Sequence, residues 1–137
     1  MRLLGHPLHP MLVHFPIAFW SAGSVCDVLA LAGWAQTQPI ASLAIGAGDS
    51  GAILAMAAGL IDYAALDERL VPAALRHIAW MAGAWLLYAA ALVGRLGAGD
   101  GAPLWSALCG FAGFAALLGG AWQGGDLVYR GGAGVAH

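Results

Sequence analysis

The sequence predicts an all-α integral membrane protein, a four-helix up-down-up-down bundle with both termini on the same side. Three observations carry that expectation. Of the 137 residues, 61% are hydrophobic and 9% charged, with a mean hydropathy of +0.81. Four stretches reach the roughly 20 apolar residues needed to cross about 30 Å of hydrocarbon. None of the four alternates as a barrel strand does, and backbone groups in lipid must pair internally, so the stretches are helices. Five basic and seven acidic side chains are too few to coat a soluble domain of this size, where about 25% of residues are charged. The apolar content also excludes a disordered chain. A net charge of −2 without a single lysine excludes nucleic-acid binding.

The spans are expected at about 10–33, 39–66, 71–96 and 103–122, in one domain covering 1–137. Gly33 to Pro39, Asp67 to Pro72 and Gly97 to Pro103 form the joints, with glycine at helix exits and proline at entries. The first apolar run is longer than a signal-peptide core of about 7–15 residues and is expected to be retained. Cys26 and Cys109 form no CxxC and read as small apolar residues of the spans. Arg2, Arg69, Arg76 and Arg130 fall on the side where the first span begins (side A), and Arg95 alone on side B. This bias predicts that the termini face the cytoplasm. Trp34, Trp105 and Trp122 fall near helix ends, where interfacial belts form. The chain has 21 glycines; small faces let helices pack closely in lipid, and glycine-rich bundles of this kind often pair as homodimers.

Function is sought among polar residues inside the spans, where ionisable groups are costly. His14 and His77 follow the entries of the first and third spans by about four and five residues, so both lie about 6–8 Å below side A. These spans are diagonal partners, with axes about 11–14 Å apart when neighbours are 8–10 Å apart. Two imidazoles across that gap leave space for one metal ion, as in bis-histidine haem b, or each simply bonds a neighbouring helix. Arg76, Arg69 and Arg2 are candidates for haem propionates. Pro16 frees a carbonyl able to orient an imidazole, and Asp62 is a candidate acceptor for an imidazole N–H. His6 and His9, in the run Gly5-His6-Pro7-Leu8-His9-Pro10, lie at the side A surface near the propionates. Together with His14 and His77 they are alternatively a zinc or copper site. Asp27 and Asp49 lie about 20 Å deeper, where they meet each other or pair with Arg95. They are read as ties between helices ahead of proton relays. The segment Gly124–Arg130 is expected as a short amphipathic piece returning to side A.

The run Gly5-His6-Pro7-Leu8-His9-Pro10-Met11-Leu12-Val13-His14-Phe15-Pro16-Ile17-Ala18 resembles the opening signature of domain-of-unknown-function family 2231, small four-helix bacterial membrane proteins. Gly59-Leu60-Ile61-Asp62, Arg76-His77 and Gly124-Gly125-Asp126-Leu127-Val128-Tyr129-Arg130, followed by Gly134-Val135, are similar to its later signatures. Asp49 departs from the pattern, which has an apolar or small residue there. Some members are joined to cytochrome c-like or Rieske-like redox domains, so the resemblance implies electron transfer at the membrane, with a redox protein or quinone as partner. The expectation is therefore a b-type haem electron carrier with His14 and His77 as ligands and Asp62, Arg76, His9 and His6 around them. Its alternatives are a zinc or copper module and a structural bundle docking a redox partner.

Overall fold

The computed structural model describes residues 2–3, 6–98 and 101–133, with side chains from Leu8 onward. An antiparallel pair of short strands, β1 (Arg2–Leu3) and β2 (His6–Pro7), opens the chain, with Arg2 opposite Pro7 and Leu3 opposite His6. Then come α1 (Leu8–Leu12), α2 (His14–Leu31), α3 (Gln38–Tyr63), α4 (Val71–Leu96) and α5 (Leu104–Tyr129). Short 3₁₀ turns at Ala35–Thr37 and Glu68–Leu70 lead into α3 and α4. The fold is thus all-helical apart from the opening hairpin.

Backbone bonds from Val13 to His9 and from Ile17 to Val13 carry α1 into α2 as one rod. Pro16 has no N–H to give Leu12, which explains the break between them. Pro39 and Pro72 stand in the first turns of α3 and α4, where their missing N–H costs nothing. Gly33 takes φ +103 in the turn out of α2.

Two boundaries differ from the sequence expectation. The second span stops at Tyr63, and the fourth runs on to Tyr129. The segment after Trp122 is therefore no separate returning piece. Its glycines lower helix propensity, but in lipid a continuous helix keeps every backbone group paired. Gly134, Val135 and His137 lie outside the described residues.

Each long helix has two neighbours: α2 and α4 both pack on α3 and α5, leaving α2 and α4 as one diagonal. Four spans are long and apolar enough to cross a membrane. Composition is turned inside out relative to a soluble bundle. Alanine and glycine dominate the interior, whereas Leu43, Val93, Leu96 and Trp122 are 68–79% exposed. Large apolar side chains suit acyl chains outside, and small ones let the backbones approach.

The interior is organised by an approximate twofold repeat. Trp20 of α2 packs over Gly48 of α3, and Tyr88 of α4 over Gly113 of α5. The two rings then stack on each other at the centre, 4.7 Å apart and 9° from parallel. Asp27 and Arg95, seven residues further along their helices, meet in the same way. Partners on α2 and α4 are 68 residues apart in both cases, and the glycines beneath them 65. Since α2 runs parallel to α4, the relating axis runs along the bundle, the arrangement of a parallel internal repeat in a membrane.

Candidate functional site

The repeat continues towards side A and there brings two histidines into equivalent places. His9 of α1 lies against Gly59 of α3, and His77 of α4 lies against Gly124 of α5. A Cβ on Gly59 would come 2.9 Å from the His9 ring, and one on Gly124 would come 3.1 Å from the His77 ring. Glycine is what allows each imidazole to lie on the neighbouring backbone. Both rings use Nδ1 for a backbone carbonyl one turn earlier on that helix. His9 bonds Ala55 O at 2.8 Å, and His77 bonds Gly120 O at 2.8 Å. A carbonyl only accepts, so each Nδ1 carries a proton and donates it, and Nε2 takes no part in the bond.

Helix periodicity explains why His9, rather than His14, is the partner of His77. His9 precedes Trp20 by eleven residues, which at 3.6 per turn returns to within about 20° of the same face. His77 precedes Tyr88 by the same interval. His14 is six residues from Trp20, about 120° round the helix, and its side chain is exposed. His14 therefore does not share the packed face that carries Trp20, whereas His9 and His77 occupy equivalent places against α3 and α5.

The other expected residues fall as follows. The carbonyls that hold the imidazoles belong to Ala55 and Gly120, rather than to the Asp62 carboxylate or to the carbonyl freed by Pro16. Asp62 is half-buried at the end of α3, and Arg76 is exposed beside His77. Arg69 is committed to Asp67, with Nε and Nη2 donating to the carboxylate and the closest contact 2.7 Å. The side chains of Arg2 and His6 lie outside the described residues. Among the described residues no three His, Cys, Asp or Glu side chains gather as a metal site would require.

Deeper in the bundle, several polar residues bond across helices. Arg95 donates twice to Asp27, at 2.9 and 2.6 Å, with both side chains 3% exposed. Asp49 does not meet Asp27; its Oδ1 accepts from Trp20 Nε1 at 3.0 Å. The hydroxyls of Tyr88 and Ser24 share a hydrogen bond of 2.8 Å. Together with the Trp20–Tyr88 stack these contacts close the bundle below the histidines.

What sequence reading missed was the repeat. His9–Trp20 and His77–Tyr88 share one spacing, as do Gly48–Gly59 and Gly113–Gly124, and a comparison of the two halves would have found His9.

Fold and site together define a multi-pass membrane protein: a four-helix bundle with a symmetric pair of backbone-anchored histidines near one end. The chain belongs to the family described as Predicted membrane protein (DUF2231), which matches residues 5–137. No curated protein and no solved structure matches the chain.

Proposed function

We propose that this protein is a b-type haem electron carrier of the bacterial cytoplasmic membrane, with His9 and His77 as the two axial ligands. One observation carries the reading: each ring spends Nδ1 on a helix carbonyl at 2.8 Å and leaves Nε2 unspent. Fixing one imidazole nitrogen with a carbonyl sets the tautomer and makes the other a better metal donor. A pair of neutral nitrogen donors fits six-coordinate haem, whose iron supplies one-electron chemistry when bound. Gly59 and Gly124 let the rings lie close to α3 and α5. Trp20 and Tyr88, both fully buried, stack beneath them. Arg76 stands exposed at the level of His77, placed to meet a propionate. Donor and acceptor are of the classes a membrane carrier meets, a redox protein or a quinone. Arg69, Arg76 and Arg130 lie at the histidine end and are exposed, whereas Arg95 is buried against Asp27. That asymmetry supports a cytoplasmic histidine end.

The test is an absorption spectrum of the detergent-purified protein with and without dithionite. A Soret band and sharp reduced α bands are expected. His9→Ala and His77→Ala should each abolish the six-coordinate spectrum, and His14→Ala should leave it unchanged. A colourless protein overturns the haem, while a spectrum lost in His14→Ala and kept in His9→Ala overturns the ligand assignment.

A further inference from the structure

The twofold repeat gives an internal control for every residue it relates. Along the faces that α3 and α5 turn inward, two glycine pairs are equivalent: Gly48 and Gly113 beneath the aromatic pair, Gly59 and Gly124 beneath the histidines. Asp49, next to the first of these glycines, has Phe114 as its equivalent 65 residues later. The second half completes the same layer, Tyr88 over Gly113, without a carboxylate. Trp20 needs an acceptor for its indole N–H, which the Oδ1 of a neutral acid supplies as well as a charged one.

Asp49 is 7% exposed in the middle of a membrane-spanning helix. Its Oδ1 accepts from Trp20, but its Oδ2 is buried with no hydrogen-bond partner. The groups that face this region from the packed elements do not supply a donor. From α4, the Tyr88 phenol is within electrostatic reach, but its hydroxyl is shared with Ser24. From α2, Asp27 is bound to the Arg95 guanidinium of α4, so that cation is already paired. From α1, His9 bonds the carbonyl of Ala55, about 9 Å further along α3. An ionised carboxylate with one hydrogen bond and no cation is among the costliest groups to hold in hydrocarbon. A carboxylic acid with its hydrogen on Oδ2 removes the charge and leaves the Trp20 bond intact.

We propose that Asp49 is a proton-binding site in the membrane interior, a carboxylic acid that holds one proton on Oδ2 and exchanges it with water. The step is the breaking and remaking of a single O–H bond: the proton passes to a water molecule as hydronium, the electron pair stays on the carboxylate, and the return reverses both. The site does not depend on what the histidines bind.

Infrared spectroscopy of the purified protein in phospholipid vesicles at neutral pH tests it. The wild-type spectrum minus that of Asp49→Asn should contain the carbonyl stretch of a protonated carboxylic acid, and that band should shift in D2O. Asn is neutral and keeps an acceptor for Trp20, so the variant should elute as the same folded species. Asp49→Glu should move the acid band rather than remove it, and decides the matter if the Asn variant fails to fold. A difference spectrum holding only carboxylate stretches overturns the proposal. So does an acid band that D2O leaves unmoved, or one identical in wild type and Asp49→Glu.

Discussion

The first half of the bundle (α1 to α3) and the second (α4 and α5) share one scaffold and differ in the chemistry placed on it. On a twofold axis a residue meets its own repeat. Where the pair must attract directly, the two copies have to differ: two aspartates or two arginines at 27 and 95 would repel in a low dielectric, whereas one of each makes two hydrogen bonds. Where each copy is satisfied by its own neighbouring backbone, the copies can stay identical, as His9 and His77 do. Identical neutral donors on an axis suit a ligand shared between them. The difference teaches which positions hold the halves together by a contact between them and which are each held by their own neighbouring helix.

The sharpest break of this comparison is at the buried ion pair. Asp27→Asn or Arg95→Leu leaves a charge buried without its partner and should cost about 3–5 kcal/mol. Exchanging the pair, Asp27→Arg with Arg95→Asp, should recover more than half of that, because the axis accepts either order. Unfolding in mixed micelles, read across the four proteins of the cycle, checks it. An exchanged protein no more stable than the single variants would show that the halves are not equivalent there.

A smaller effect separates the two glycines of the aromatic layer. A Cβ on Gly48 would come 2.5 Å from Trp20, against 3.0 Å from Tyr88 for one on Gly113. Gly48→Ala should therefore cost about 1–3 kcal/mol as overpacking does, and Gly113→Ala less, in the same unfolding assay. Equal costs would mean that the indole yields as easily as the phenol.

The smallest effect lies in the joint between the halves. Hydrogen bonds from Arg69 pull the exposed Asp67 carboxyl down from the ordinary 3.8 to about 2. A depressed folded pKa means the contribution is present above the unfolded value of about 3.9 and lost as pH falls towards 2. Asp67→Asn should flatten stability only in that acid window and leave the repeat and the histidine spectrum unchanged. Unfolding followed between pH 5 and about 2 measures it, and an effect at neutral pH would count against the exposed, local character of this contact.

Much of the architecture was legible because lipid imposes it. The four spans, their proline entries and their small-residue interiors follow from hydropathy and from the need to pair every backbone group. The pairing of Arg95 with an aspartate was legible as one of two choices, and the buried tie it forms is the reading that held. The partner of His77 was not. Depth below the surface was counted correctly from the span entries, but depth does not say which way a side chain points, and His14 at a suitable depth faces outward. The helical end of the chain was misjudged because glycine weighs against a helix in water far more than in a bilayer.

Hydropathy and residue spacing by themselves determined that this chain crosses a membrane four times, where each crossing begins, and that histidines and carboxylates lie within the crossings. Only the tertiary structure decided that the bundle folds as two like halves about an axis, that His9 and His77 each bond a carbonyl of the neighbouring helix, and that Asp49 keeps one oxygen unpaired. The physical reason is range: apolar length acts on each segment separately, whereas a side chain's partner depends on the rotation of two helices fixed by contacts, such as Trp20 on Gly48, far apart in the chain.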